Sequence, residues 1–166
     1  MELIGRDAES AKLKRYLTQT GVSLGLITAH AGMGSTTLAL STCRDSGIPM
    51  IYCACQVLHE QAIAAMLSDA ARPLFPAMPQ FPSVENALDW LFSNAQSPVV
   101  LILDRIDLAC KAFPAFGKIL DGKIRKWRES SQLRILLIGR AATLPSEFNS
   151  MAEFLLALQP LSDACH

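Results

Sequence analysis

The spacing of apolar residues predicts where the helices of this chain lie. Apolar positions three and four apart recur in four segments, as expected of helices with one buried face: residues 7–18, 59–74, 83–95 and 105–130. A further helix is predicted to open after a small-residue loop that ends near residue 34. Ser83, with Glu85 and Asn86 close behind it, is a typical helix start. The Pro-rich residues 72–82 predict a loop between two of these helices.

Short, continuous apolar runs predict the strands. They cover residues 23–28, 49–55, 98–104 and 133–139, and a weaker run covers residues 153–161. The run that ends at Asp104 is apolar up to that residue, which is typical of a strand buried on both faces. Because strands alternate with helices along the chain, the sequence predicts a three-layer α/β domain, with a parallel sheet of about five strands flanked by helices.

Composition narrows the class of protein. The 166 residues are 51% hydrophobic, which suits one domain with a sizeable core. The 15 Lys and Arg balance the 15 Asp and Glu, so no net charge favours nucleic acid or an anionic membrane. With no signal-peptide pattern and no run near the roughly 20 apolar residues that span a bilayer, we expect a cytoplasmic protein without a membrane partner. The 5 cysteines lack C-x-x-C spacing and are interpreted as small apolar fillers.

The segment between the first predicted strand and the following helix has the spacing of a phosphate-binding loop. Against the pattern G-x-x-x-x-G-K-[ST], Ala29 and Gly34 stand at the Gly positions, Ser35 at the Lys and Thr36 at the magnesium-binding hydroxyl. Such a loop gathers backbone N–H groups around an anion. The predicted nucleotide-binding residues here are therefore Ala29, Gly32, Met33, Gly34, Ser35, Thr36 and Thr37. A glycine turn that only joins a strand to a helix would have the same letters, and a lone histidine such as His30 is more often structural.

Asp104 ends the third predicted strand, where a carboxylate can hold magnesium. Thr36 and Asp104 are therefore the predicted metal-binding residues. Asp107 follows one helical turn later and is the candidate catalytic residue, although a helix-capping role is equally natural for it.

With these motifs in place, the chain resembles the nucleotide-binding core of the archaeal-type ATPases related to the AAA+ and STAND groups, which have a P-loop NTPase fold. The family's GRxxE box is present as Gly5, Arg6 and Glu9, and its L-x-P-L ending as Leu158, Pro160 and Leu161. The resemblance implies that Gly5 and Arg6 lie beside the adenine. It also implies that Arg140, next to Gly139, lies in the sensor region that reads the γ-phosphate.

The resemblance implies ATP or ADP with Mg as the ligand, but two residues depart from the family pattern. Ser35 replaces the loop lysine, which leaves a degenerate Walker A motif, and Arg105 replaces the glutamate that activates water. A guanidinium cannot accept a proton, and Asp107 is the only nearby substitute. We therefore predict an ATPase-like module with a regulatory or assembly role, in which nucleotide binding is weak and hydrolysis is weak or lost. The alternatives are an active ATPase completed by a partner subunit, and a nucleotide-free scaffold for protein or nucleic acid.

The expected partners are other protein subunits, including copies of this chain, with nucleic acid reached through a larger complex. By analogy with related ATPases, Arg128 and Arg134 are candidates to reach a neighbour's nucleotide. The basic residues from Lys118 to Arg128 alternate with apolar residues at helical spacing and are interpreted as a solvated face. The family follows this core with a helical lid, whereas this chain stops at His166. We expect a single core domain, residues 1–166, without that lid, or a fragment of a longer protein.

Overall fold

The computed structural model describes residues 6–19, 21–30 and 33–160. Its centre is a sheet of five parallel strands in the order β2-β3-β4-β1-β5. The strands are β1 (Leu24–Ala29), β2 (Met50–Ala54), β3 (Val99–Asp104), β4 (Leu133–Arg140) and β5 (Phe154–Ala157). The predicted three-layer α/β fold with a five-stranded parallel sheet is therefore confirmed.

Helices cover both faces of the sheet. The described helices are α1 (Asp7–Leu17), α2 (Ser35–Ser46), α3 (Glu60–Ala71), α4 (Val84–Asn94), α5 (Ile106–Ala112), α6 (Phe116–Trp127) and α7 (Glu147–Met151). Side chains of α1 and α2 form one core with Val100 and Ile102 of β3, whereas α3 to α7 form the other core with Leu101 and Leu103. This division follows from the strand period of two, which sends successive side chains to opposite faces. None of the helices in the described ranges is long and apolar enough to cross a membrane.

The prediction of one helical stretch over residues 105–130 is wrong in one respect, because these residues form two helices. Helix α5 ends at Ala112 and α6 begins at Phe116, with Pro114 between them. Proline has no N–H to donate and disfavours helical geometry in the residue before it. Accordingly, Phe113 is not helical, with φ −135° and ψ 75°. The short helix α7 was not predicted, and its Phe148 is fully buried in the core under α6.

Most basic residues of α6 lie on its outer face, as the spacing predicted, but the Lys123 side chain is only 15% exposed and pairs with Asp89 of α4. Phe116, Leu120 and Ile124 are buried against the sheet, and Lys118, Arg125 and Lys126 are exposed. The cysteines also follow their packing interpretation: the four within the described residues are buried, and Cys165 lies outside them. Neither group of residues forms part of the site described below.

The strand order brings three strand ends together at one edge of the sheet. Strand β4 lies between β1 and β3, and the parallel register pairs Ala29 with Arg140 and Asp104 with Ile138. The carboxyl ends of β1, β4 and β3 are therefore neighbours, although long stretches of chain separate them. In open α/β sheets, ligands bind in the crevice outside such strand ends.

Candidate functional site

A cleft of about 330 Å³ opens at the carboxyl ends of β1, β3 and β4. The predicted nucleotide-binding residues in its lining are Ala29, Gly34, Ser35, Thr36, Thr37, Asp104 and Arg140. Gly5 and Gly32 lie outside the described residues. His30 and Arg105, which were not predicted to bind, also line the cleft. The structure therefore brings the predicted phosphate loop together with Asp104 and Arg140 in one cleft.

The amino end of α2 faces this cleft. Helix α2 begins after Gly34, whose φ of 80° and ψ of 21° lie in the left-handed region that glycine adopts without strain. No side chain among the described residues caps this helix, and its first backbone bond closes from the Leu38 N–H to the Gly34 carbonyl at 2.8 Å. The N–H groups of Ser35, Thr36 and Thr37 have no partner within the helix. Together with the helix dipole, they form an environment that favours an anion.

The hydroxyl of Thr36 is held by Asp104. Thr36 Oγ1 donates to Asp104 Oδ2 at 2.6 Å, which links the first turn of α2 to the end of β3. Tyr52 Oη donates to the same oxygen, also at 2.6 Å. Burial, and then the bond to the Asp104 carboxylate, raise the pKa of Tyr52, so the phenol remains a donor at neutral pH. Asp104 is buried, and its Oδ2 accepts two hydroxyl groups from different elements.

Sequence reasoning missed Tyr52. The parallel register pairs Ala54 of β2 with Asp104 of β3, and Tyr52 precedes Ala54 by two residues. Because strand side chains alternate, Tyr52 and Asp104 lie on the same face of the sheet. The pairing of β2 with β3 was the missing information, since Tyr52 in the sequence is only one aromatic residue in an apolar run.

A second cluster, which we call the Asp107 cluster, borders the cleft and consists of Asp107, Arg105, Arg140 and Thr143. Arg105 Nε and Nη2 donate to Asp107 Oδ1 and Oδ2 at 3.2 and 2.9 Å. Thr143 Oγ1 donates to Oδ2 at 2.8 Å, and the Arg140 N–H donates to Oδ1 at 3.4 Å. The Asp107 side chain is 0% exposed. Burial alone would raise the pKa of Asp107, but hydrogen bonds from Arg105 and Thr143 hold it below its usual range.

These contacts bear on the catalytic role predicted for Asp107. A general base needs a free oxygen within reach of the attacking water. Both Asp107 oxygens already accept hydrogen bonds from protein donors. The geometry therefore favours a structural role for this carboxylate, and its catalytic role stays an untested prediction.

The chain matches no known family model and no curated protein, but solved structures share its architecture. A Walker-type ATPase of Pyrococcus abyssi superposes with a TM-score of 0.73 at 15% identity, covering 98% of this chain and 55% of that one. The Orc1 protein of Aeropyrum pernix, in complex with DNA, superposes with a TM-score of 0.69 at 19% identity, and the match covers 97% of this chain and 47% of that one. A chain of the E. coli MS115-1 HORMA:CdnC:Trip13 complex superposes with a TM-score of 0.63 at 15% identity, and the match covers 98% of this chain and 65% of that one.

This chain has the P-loop NTPase fold. At identities of 15% to 19% the likeness concerns the fold alone. The chain spans 47% to 65% of the length of these three structures.

In this fold a magnesium ion is an implied ligand, and the oxygen donors of the cleft fit one. Thr36 and Asp104 offer a hydroxyl and a carboxylate, which are the hard oxygen ligands that magnesium prefers. Within the described ranges, no group of three or more His, Cys, Asp or Glu lies close enough to hold a metal ion. Magnesium commonly uses one or two protein groups and takes its remaining ligands from water and phosphate. Binding of the ion here would therefore depend on a bound polyphosphate.

Arg6, the arginine of the GRxxE box, contacts the loop. Its side chain is buried, and its Nη2 donates to the carbonyl oxygen of Met33 at 3.3 Å. Its Nε has no hydrogen-bond partner among the described residues. The start of α1 is thereby joined to the loop that precedes α2. The predicted contacts of Arg6 and Met33 with a nucleotide stay untested, because neither residue is in the described lining of the cleft.

Arg134 does not have the exposed position that an arginine acting on a neighbouring subunit needs. It is 4% exposed, and its guanidinium donates to Ser23 Oγ and to the carbonyl oxygens of Gln19 and Gly21. This burial argues against the role that the analogy suggested for Arg134, which stays an untested prediction. Arg128 is exposed and pairs with Glu153.

Proposed function

We propose that this chain is an ATPase-like nucleotide-binding module with a regulatory or assembly role, in which hydrolysis is weak or lost. The observation that carries the proposal is the 2.6 Å bond from Thr36 Oγ1 to Asp104 Oδ2, made inside a cleft at an uncapped helix terminus. In P-loop NTPases, a hydroxyl and a carboxylate in these positions hold the magnesium ion. A turn that only connected a strand to a helix would not require this pairing.

The proposal assigns a role to each part of the cleft. The backbone N–H groups from Gly34 to Thr37 bind the phosphates of ATP or ADP, and Thr36 and Asp104 bind magnesium. The ion would neutralise charge on the phosphate oxygens. Arg140 stands at the sensor position and lines the same cleft. Ser35 contributes its N–H but no charge, so the Walker A motif is degenerate and we expect weak binding.

Weak or absent hydrolysis follows from the groups that face the cleft. Within the described lining, Asp104 is the only carboxylate, and it is committed to Thr36 and Tyr52. Arg105 stands where the family has its water-activating glutamate. Its hydrogen bond to Asp107 raises the pKa of the guanidinium further, so it cannot act as a base. No described residue is therefore ready to take a proton from water.

The assembly role rests on the structures that share the fold. One of them is an Orc1 protein in complex with DNA, and another is a complex that contains HORMA, CdnC and Trip13 components. We propose that this chain, as a single core domain over residues 1–166, likewise works with other protein subunits and reaches nucleic acid through a larger complex. The AAA+ and STAND groups remain the proposed relatives.

A thermal shift with nucleotide tests the proposal. At a ligand concentration ten times Kd, binding stabilises the folded chain by about 1.4 kcal/mol, which corresponds to a rise of about 3–6 °C in Tm. We expect this rise with Mg-ATP and Mg-ADP. Thr36→Val should abolish it, because the variant keeps the side-chain shape but loses the hydroxyl. Thr18→Val is the matched control, since the Thr18 hydroxyl bonds only locally, to carbonyl oxygens of α1.

Each alternative function has its own outcome. If Tm does not change with either nucleotide at millimolar concentration, nucleotide binding is overturned. The remaining alternative is then the nucleotide-free scaffold for protein or nucleic acid. Phosphate release well above background that Asp104→Asn abolishes would overturn the loss of hydrolysis. In that case the chain is an ATPase that obtains its missing groups from a partner subunit.

Tyr52→Phe is expected to lower the magnesium concentration needed for half-maximal nucleotide binding by about tenfold. The phenol hydroxyl occupies a lone pair of Asp104 Oδ2, and a hydrogen bond to a charged group contributes about 1.5–3 kcal/mol. Removing it frees that lone pair for the ion. A magnesium titration with a fluorescent ATP analogue measures the effect, and Tyr16→Phe, which alters the other tyrosine, is the control. An unchanged magnesium midpoint in Tyr52→Phe would show that Tyr52 does not compete for Asp104.

A further inference from the structure

Arg105 occupies an unusual place in the cleft. It directly follows Asp104 at the end of β3 and lines the cleft together with Ser35 and Thr36. Its φ of 59° and ψ of 48° are left-handed, and it is the only residue besides glycine with a positive φ among the described residues. A residue with a side chain keeps this conformation only where its surroundings fix it. The surroundings of Arg105 therefore hold its backbone in a conformation that residues with side chains rarely adopt.

The Asp107 cluster holds the Arg105 guanidinium in a defined orientation. A guanidinium has five N–H donors in a planar fork, and Nε and Nη2 of Arg105 bind the two oxygens of Asp107. The side chain stays 30% exposed, whereas that of Asp107 is fully buried. Among the described residues, no hydrogen bond is formed by Arg105 Nη1. The carboxylate therefore fixes one edge of the fork, and Nη1 of this cleft-lining residue keeps no partner among the described residues.

The charges around the cleft show what the Arg105 guanidinium can do. A polyphosphate needs cations, and the loop has the neutral Ser35 where a lysine would stand. In the described lining the guanidinium groups are those of Arg105 and Arg140. Arginine forks bind phosphate oxygens in pairs and with defined geometry. Arg105 is held by a buried partner, so little side-chain entropy is lost when it binds.

We propose that Arg105 is the phosphate-binding cation of this cleft and replaces the missing loop lysine, and that Asp107 is the positioning residue that holds it. The inference rests on the proposed nucleotide-binding function and makes it more specific. Position 105, where the family has its water-activating glutamate, would then hold the nucleotide in the cleft. The Arg140 backbone, bound to the same carboxylate, keeps the second arginine at the same edge.

The test is a set of Arg105 and Ser35 variants, with the Kd for ADP and ATP measured by calorimetry. Arg105→Gln should raise Kd about tenfold, because one charge-assisted contact to phosphate is lost. Arg105→Lys keeps the charge but loses the fork, so its Kd should lie between those of Arg105→Gln and the unmodified chain. Arg125→Gln, which removes an exposed arginine on α6, is the control and should leave Kd unchanged.

A double variant separates phosphate binding from a purely structural effect. If Arg105 supplies the charge that the loop lacks, Ser35→Lys should tighten Kd by a larger factor in the Arg105→Gln background than in the unmodified chain, because the two cations then serve the same phosphate. The salt dependence of Kd should weaken in Arg105→Gln and return in the double variant. If Arg105 had a purely structural role, the lysine would tighten Kd by the same factor in both backgrounds, because the two effects would then be additive.

The outcomes distinguish this inference from the function on which it rests. If the unmodified chain binds neither nucleotide, the proposed function fails. If the unmodified chain binds and a folded Arg105→Gln binds equally well, only the role of Arg105 is overturned. A gain from Ser35→Lys that is the same in both backgrounds would also overturn it, since the affinity loss in Arg105→Gln then comes from a disturbed Asp107 cluster.

Discussion

Replacing Ser35 with Lys is expected to tighten the binding of Mg-ATP by about 10- to 100-fold. A hydrogen bond with one charged partner contributes about 1.5–3 kcal/mol, and about 1.4 kcal/mol corresponds to a factor of ten in Kd. Ser35 is the first residue of α2 and lines the cleft beside Thr36, so the added ammonium would enter a site that already has uncapped N–H donors. Calorimetric titration of Ser35→Lys with Mg-ATP and Mg-ADP measures the gain.

Ser46→Lys is the matched control for this variant. Ser46 is the last residue of the same helix, about 16 Å from Ser35 at about 1.5 Å per residue. The Ser46→Lys variant adds the same charge to α2 but places it outside the cleft, so Kd should not change. Ser35→Lys is expected to leave phosphate release near background, because the variant adds no group that can take a proton from water. An unchanged Kd in Ser35→Lys would argue strongly against a preformed phosphate cradle.

The sequence predicted the fold well because the sheet is buried on both faces. Continuous apolar runs such as β3 are distinct from the helices around them, and each predicted strand is present in the structure. The break in the helical stretch after Asp104 was missed, although Pro114 stood in the middle of it. The apolar spacing continues on both sides of that proline, so periodicity alone concealed the break. Helix α7 has five residues, too few for a helical period to be recognised.

The site was predictable only where its residues follow a known spacing. Gly34, Thr36 and Asp104 have positions set by the phosphate-loop pattern and by a strand end, and the structure joins them. Tyr52 reaches Asp104 only through the pairing of β2 with β3, which a single sequence does not reveal. Likewise, the position of Thr143 beside Asp107 depends on the turn after β4, 36 residues further along the chain. A contact between distant segments depends on strand order and register, whereas a motif is local.

Asp107→Asn is expected to lower the free energy of unfolding by about 2–4 kcal/mol at pH 7. The amide presents an N–H₂ group where one carboxylate oxygen accepted hydrogen bonds, and a buried donor left facing donors costs about 1–3 kcal/mol in addition to the bonds lost. The ion pair with Arg105 contributes less than a buried pair would, since Arg105 is partly exposed and its charge is screened. Urea denaturation at several pH values measures the change.

The pH dependence of this difference tests whether the charged carboxylate is the source of the stability. The pKa of Asp107 is lowered in the folded chain, whereas the pKa of an unfolded aspartate is about 3.9. The stabilisation is therefore fully present above the unfolded pKa and is lost as pH falls through the folded pKa. The difference between Asp107→Asn and the unmodified chain should accordingly be constant from pH 6 to 8 and shrink below about pH 4. Asp121→Asn, which breaks an exposed pair on α6, should change stability by no more than about 0.5 kcal/mol. If the Asp107→Asn difference stayed the same at low pH, its cause would be altered packing, and Asp107 would not hold Arg105 through its charge.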